Sequence, residues 1–313
     1  VVSFTLRRLG AGVVLLIAIS ILTYSILFFS SANIARNLVG DQATEEQVAL
    51  KEQQLGLDQP FLSRFADWFM SALSGDFGRS WFTSEPVAVA IANRLPITLT
   101  LVAVAILLTA IVSTLIGMLA AVKRGWMDRA VQVGAVIGYA APGFVLAVLF
   151  VTLFAVQLRL VPPVSTISPG AGAAAWFTSL LLPVIALAIN AVASSAQQLR
   201  SAIIKQLERD YVRTLRSRGI AEREILFRHV LRSAAPAGLT ILSLQFIGML
   251  GGAVIVEQIF ALPGIGSLAV TATSAGDIPV VMGVVLFTVI IVIVVNLLVD
   301  LVNGWLNPKV RVS

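Results

Sequence analysis

The sequence contains no cysteine and a single histidine, His229. Disulfide frameworks, thiolate metal sites and thiol nucleophiles are excluded together, as is any site built from several histidines. The same absence leaves the redox compartment open. Charge is scarce too: Asp, Glu, Lys and Arg make up 12% of the residues, where a soluble domain carries about a quarter. What fills the chain instead is apolar. Hydrophobic residues are 58% of the 313, and the mean hydropathy is +0.95. A soluble fold of this length has too little interior to hide that much apolar surface, and the composition equally excludes a disordered or collagen-like chain.

A bilayer core about 30 Å thick is crossed by about 20 mostly apolar helical residues, because backbone polar groups must then be satisfied within the segment. Six stretches meet that length, at 9–29, 95–122, 130–158, 173–199, 237–256 and 278–299. The fourth is interrupted by Pro183, Asn190, Ser194, Ser195, Gln197 and Gln198, and a kink is expected near Pro183. The first follows Arg7 and Arg8 and precedes Ser30, Ser31 and Ala32, which loosely resembles a signal peptide. Its apolar run is longer than a signal h-region, so it reads as a retained anchor, with a few residues expected before Val1.

Orientation follows from the bias of lysine and arginine toward cytoplasmic loops. Sixteen of the 22 fall on one side, at Arg7, Arg8, Lys123, Arg124, Arg129, the nine between Arg200 and Arg232, Lys309 and Arg311. The other six, Arg36, Lys51, Arg64, Arg79, Arg94 and Arg159, share their side with ten acids, among them Asp41, Glu257 and Asp277. Both termini are therefore expected in the cytoplasm. The net charge of +6 is this bias, and no nucleic-acid partner is implied.

Two inter-span segments carry pattern. In the outer loop 31–93, Thr44 with Gln47 forms a capping-box signature and Gly56 a stop, predicting a helix over 45–55. A second, over 61–73, sets Phe61, Phe65, Trp68 and Phe69 on one face; it either lies on the interface or the chain's own spans, or docks an outer partner. The cytoplasmic loop 200–235 is basic yet keeps apolar residues at helical spacing, reading as two short amphipathic helices broken at Gly219. Adsorption to an anionic lipid surface and docking in a groove of a cytosolic protein both fit that pattern.

The motifs of energy-coupled chemistry are missing. No lysine follows a glycine, so there is no GxxxxGK[ST] phosphate loop. Gly264, Gly266 and Ala269 match GxGxxA but follow an apolar span rather than a strand, so a turn is the better reading. No Asp, Glu, Lys, Arg or His lies inside the six stretches as bounded above, which argues against an ion-coupled carrier. The polar residues left at depth are Asn190, Gln245 and Asn296; such residues are more often interhelical hydrogen-bond formers than ligands, and Asn190 and Gln245 are the candidates for lining a pathway. Gly134 with Gly138, and Gly248 with Gly252, have GxxxG spacing suited to close packing within the chain or against another subunit. A thousandfold concentrative uptake costs about 4 kcal/mol at about 1.4 per factor of ten, so a transporter of this kind needs a separate energy source.

Specific stretches resemble a known family. The run Asp210-Tyr-Val-Arg-Thr-Leu-Arg-Ser-Arg-Gly219-Ile-Ala-Glu-Arg-Glu resembles the EAA loop of permease subunits of ATP-binding-cassette importers, in the dipeptide/oligopeptide/nickel branch. Leu55-Gly-Leu-Asp-Gln-Pro60, Gly75-Asp-Phe-Gly-Arg-Ser80, Arg94-Leu-Pro-Ile-Thr98, Val256-Glu-Gln-Ile-Phe-Ala-Leu-Pro-Gly264 and the end from Asn296 to Asn307-Pro308 are similar to that branch in the same order. Within it the chain looks like the first of two permeases. Leu215 and Ala221 depart from the pattern; at Ala221 the branch often has a capping Ser, whose loss costs about 1 kcal/mol if nothing substitutes.

The resemblance implies an all-α, polytopic permease of the type I importer fold, with six spans and no enzymatic activity of its own, in the cell membrane of a prokaryote. It implies a homologous second permease, two ATPase domains that hold ATP and magnesium, and an extracytoplasmic binding protein. The substrates expected are peptides or related solutes. On this reading the ATPase-coupling residues are Tyr211, Arg213, Thr214, Arg216, Gly219, Glu222 and Arg223, while His229 is structural or a cap. The alternative is a self-sufficient secondary carrier or channel.

Overall fold

The computed structural model describes residues 2–30, 34–40, 42–123, 125–167 and 170–306. Ser31, Ala32, Asp41, Arg124, Asn307, Pro308, Lys309 and Arg311, used above, lie outside them. The described chain is a series of helices: α1 Val2–Ser30, α2 Ile34–Val39, α3 Glu45–Gln54, α4 Phe61–Leu73, α5 Val87–Val122, α6 Trp126–Ala140 and α7 Gly143–Phe150, the last continued by a π-helical turn. There follow α8 Ala173–Leu207, α9 Asp210–Ser217, α10 Glu222–Glu224 running through a π-helical stretch into α11 Leu231–Ile259, α12 Ile265–Ala275 and α13 Ile278–Leu306.

Five of these, at Leu6–Phe29, Val87–Val122, Ala173–Leu207, Glu222–Ile259 and Ile278–Trp305, are long and apolar enough to cross a membrane. The third expected span is not one continuous helix. It is a pair, Trp126–Ala140 and Gly143–Gln157, bent by 86°. Pro142 is the reason: it lacks the N–H that a helix would use, and its ring pushes the preceding residue out of the helical region. Ala141 accordingly sits at φ −77°, ψ 118°. Pro183, by contrast, lies within an unbroken α8.

The chain forms two compact units. The first comprises residues 97–263 with 295–306, and its organising element is α8, against which α6, α7 and α11 pack. Alanines at 186, 188, 191 and 196 are buried on α8, and small side chains of this kind let helices approach closely. Each GxxxG pair contributes one glycine to this packing. A Cβ on Gly138 would lie 2.9 Å from that of Ala193, and one on Gly252 would lie 3.1 Å from Leu187 Cδ1.

The second unit comprises residues 2–96 with 264–294. Here α3 starts at the expected capping box, with the Thr44 hydroxyl accepting from Gln47 N and the Gln47 side chain accepting from Thr44 N. The aromatic face of α4 is turned inward. Phe61, Phe65 and Trp68 surround the buried Tyr24 of α1, with edge-to-face contacts at 5.6 and 5.5 Å from Phe61 and Phe65. Of the two readings of that face, packing on the chain's own helices is the observed one. Asp277, between α12 and α13, is buried and accepts from Ser80 Oγ at 2.5 Å and from Trp81 N at 3.3 Å. That carboxylate ties the segment before α5 to the start of α13.

Candidate functional site

The basic hairpin is built from the end of α8 to the start of α11. α9 is amphipathic over its two turns: Val212 is fully buried, Tyr211 and Leu215 are half-buried, and Arg213, Thr214 and Arg216 are exposed. It ends where Gly219 takes φ +72°, a conformation that costs an L side chain about 1–2 kcal/mol. Two backbone bonds close the end, Gly219 N to Arg216 O at 2.9 Å and Ile220 N to Leu215 O at 3.2 Å. This is the Schellman arrangement, and the apolar pair it favours, Leu215 and Ile220, packs on the same cluster.

The second short helix expected after Gly219 is the beginning of a longer one. Helix continues from Glu222 to Ile259 and runs through Pro236, which lies within α11. Ala221 supplies no side-chain cap. Glu222 instead receives the Arg216 guanidinium as a fork, Nε to Oε1 at 2.6 Å and Nη2 to Oε2 at 3.1 Å. The hydrogen bond from Arg216 holds the Glu222 carboxyl below its ordinary range, and the same bond raises Arg216. His229 lies well inside this helix, half-buried, so it caps neither end.

Beneath the hairpin, Ile203 of α8, Val212, Ile225, Val230, Ala234 and Ala121 of α5 form a buried cluster. Of the seven residues named from the sequence, Tyr211 partly packs on this base, its hydroxyl 3.4 Å from Gln206 Oε1. Arg213, Thr214, Arg216, Gly219, Glu222 and Arg223 are all exposed. Three of the seven, Arg213, Arg216 and Arg223, present guanidinium groups on this packed platform; Arg213 meets Asp210 only at 3.7 Å, with both side chains largely in solvent.

Asn190 and Gln245 come together on one cavity of about 330 Å³. Asn190 Nδ2 donates to Ala141 O at 2.9 Å, satisfying a carbonyl at the Pro142 break, while its Oδ1 is buried without a partner. Gln245 Nε2 reaches Ser194 Oγ at 3.4 Å, and Gln198 Nε2 reaches the same oxygen at 3.1 Å. Ser194 also lines a neighbouring cavity of about 870 Å³ with Gln197, Gln198, Ser201, Lys205 and Arg209. In the sequence Asn190, Ser194, Gln197 and Gln198 interrupt the fourth apolar stretch, and Ser201 follows just beyond it. Their spacing at 190, 194, 197, 198 and 201 is one helical stripe, and that was the available signal.

Buried and part-buried ionisable groups begin one residue beyond the bounds drawn from hydropathy. Glu257, just past the fifth stretch, is fully buried in α11 and accepts from Thr98 Oγ1 at 2.6 Å. Arg200, just past the fourth, pairs with Asp128, its Nη2 donating to Oδ2 at 2.7 Å. Apolar windows stop at charges by construction, so the emptiness of the six cores understated what the helices bury.

Residues 113–312 match the family described as binding-protein-dependent transport system inner membrane component, and residues 1–102 match its N-terminal membrane component. The chain belongs to this family. It is a multi-pass permease subunit of such a transport system in the cell membrane. Among the transport system's permeases, a putative peptide transport system permease protein of Brucella abortus is 36% identical over 307 residues, 98% of each chain. A glutathione transport system permease of Escherichia coli is 33% identical over 310 residues, 99% of each chain. Among solved structures, the inward-facing MetNI methionine ABC transporter shares the fold, with a TM-score of 0.58 and 17% identity over 72% of this chain and all of the other. No group of three or more His, Cys, Asp or Glu side chains suited to a metal ion occurs among the described residues.

Proposed function

We propose that this permease subunit carries peptides or related small solutes in an ATP-driven importer, by alternating access coupled to a separate ATPase. The observation that carries the substrate class is end-to-end similarity to a permease of a peptide transport system, 36% identity across 98% of both chains. The hairpin from Arg209 to Leu231 is the coupling element, and Tyr211, Arg213, Thr214, Arg216, Gly219, Glu222 and Arg223 are its contact residues. The exposure of all but Tyr211 above a buried apolar base supports that role, since a rigid platform transmits displacement where a loose loop absorbs it. The partners are a homologous second permease, two ATPase domains holding ATP and magnesium, and an extracytoplasmic binding protein. The hairpin and both termini face the cytoplasm, in keeping with sixteen basic residues on that side. The cavities around Asn190, Ser194 and Gln245 lie on the solute's path.

An ATPase that binds the hairpin equally in both states shifts nothing, so its nucleotide-dependent closure must favour one arrangement of the helices. The test is co-purification from native membranes followed by vesicle uptake. Stoichiometric ATPase and second-permease bands, with uptake that needs ATP, are expected. Accumulation by vesicles holding this chain alone, after a pH or sodium jump, would establish the self-sufficient carrier instead.

A further inference from the structure

The first unit holds an apolar groove of about 540 Å³ that the transport reading leaves unused. Its floor is α8, its walls are the C-terminal half of α5 and one face of α6, and every residue lining it is Gly, Ala, Val, Leu or Ile. Both walls close onto α8 through a glycine. A Cβ on Gly117 would lie 2.9 Å from Ala196 O, and one on Gly138 would lie 2.9 Å from that of Ala193. Gly134, on the same α6 wall, faces open space, with nothing within 4 Å of where its Cβ would be.

Along α8 the lining runs from Ile185 to Ala196, about 16 Å of helix, which is about half of a hydrocarbon core about 30 Å thick. Spread over that length, the volume gives a mean cross-section of roughly 33 Å², against roughly 80 Å² for a helix about 10 Å across. The groove therefore admits an alkyl chain and is too narrow to enclose a helix of another subunit. Water does not suit it, since a buried water needs about two to four polar partners and the lining side chains offer none. Left empty, the walls forfeit dispersion contacts that bilayer hydrocarbon would supply.

Charge decides which lipid. Lys123 follows Leu108, Val112 and Ile116 on the same face of α5, about 10 Å beyond Ile116 and so at the level of the polar interface. Trp126, 77% exposed at the start of α6, is a residue of the kind that marks that interface. Lys123 and Arg129 are both exposed and in no ion pair among the described residues, while Asp128 between them is taken up by Arg200. We propose that the groove between α5, α6 and α8 binds one acyl chain of an anionic phospholipid, whose headgroup is held at Lys123 with Arg129 adding positive potential beside it. Each such cation favours an anionic headgroup by roughly fivefold. On the orientation proposed above this lipid belongs to the cytoplasmic leaflet, and only the choice of leaflet rests on that reading.

Full-length protein is taken from native membranes in detergent, with the subunits that accompany it. Native mass spectrometry then counts the phospholipid that stays bound when phosphatidylglycerol and phosphatidylcholine are offered in equal amounts. One retained phospholipid for each copy of this subunit is expected, with phosphatidylglycerol preferred more than tenfold. Gly134→Leu, whose side chain grows from a position with no neighbour into the groove, should remove that lipid. Lys123→Gln should keep a lipid while cutting the headgroup preference roughly fivefold. Should Gly134→Leu fail to reach the membrane, Lys123→Gln, altered at an exposed position, still decides. An unchanged lipid count in Gly134→Leu, or an unchanged preference in Lys123→Gln, overturns the site. Loss of another subunit from the Gly134→Leu preparation, with the lipid count unaltered, overturns it as well and makes the groove a subunit contact. Binding in detergent is read without orientation or transport, so its failure leaves those readings standing. The chain has no cysteine, so labelling of Lys123→Cys from the outer side of the membrane would remove the orientation reading and leave the lipid site in place.

Discussion

Arg216 and Glu222 join the two sides of the turn at Gly219 through a two-point guanidinium–carboxylate fork. It spans a helix start that has no side-chain cap, since Ala221 carries no side-chain oxygen, and it places the carboxylate in the first helical turn, where the helix dipole favours it. The fork is solvent-exposed, so its contribution falls in the range of about 0.2–1 kcal/mol for such pairs.

The pH dependence follows from the direction of the Glu222 shift. Its carboxyl is held below the ordinary range in the folded hairpin, so the fork's stabilisation is fully present above the unfolded pKa of about 4.3. It is lost as pH falls through the lower folded value. Hydrogen exchange of amides 214–226 should be equally protected at pH 7 and pH 5.5, after correction for intrinsic rates, and less so at pH 3.5. Glu222→Gln should abolish that dependence.

Gly219 tests the hairpin's shape. Its φ of +72° is closed to proline, whose ring fixes φ near about −65°. Gly219→Pro should abolish ATP-dependent uptake with the protein still in the membrane, while Gly219→Asn, which tolerates the left-handed region, should keep most of it. Transport assays normalised to immunoblotted membrane protein distinguish these outcomes.

The platform is tested from below. Ile225 is fully buried beneath the exposed arginines. Ile225→Ala should cost about 2–5 kcal/mol of local stability. Limited proteolysis near Arg216 and Arg218 should accelerate, and coupling of ATP hydrolysis to uptake should fall even though no exposed residue has changed.

Asn190 is tied to the helix break. Replacing it with Leu leaves Ala141 O without its 2.9 Å donor. A loss of about 0.5–1.5 kcal/mol is expected, the net contribution of a typical hydrogen bond at this part-buried carbonyl. A lowered melting temperature of the detergent-solubilised chain checks it, and Asn190→Gln should recover little, because its longer side chain misplaces the donor.

Much of the fold was legible because a bilayer imposes a length and an apolar composition that can be read residue by residue. The capping box at Thr44 and the α4 helix were legible for a similarly local reason. The seven hairpin residues were picked out by resemblance. The buried cluster that Val212, Ile225 and Val230 form depends on contacts with Ile203 and Ala121 that no local pattern encodes.

The sequence alone determined that this chain lives among lipids, where its apolar runs lie and that its basic charge is concentrated between two of them, since these are properties of windows of neighbouring residues. Tertiary structure decided what happens at the ends of those windows and across them. It broke the third run at Pro142 by 86°, buried Glu257 beside Thr98 and turned the aromatic face of α4 onto Tyr24. Whether a polar group is paired or a face is covered depends on residues far away in the chain, and only the folded arrangement brings those residues together.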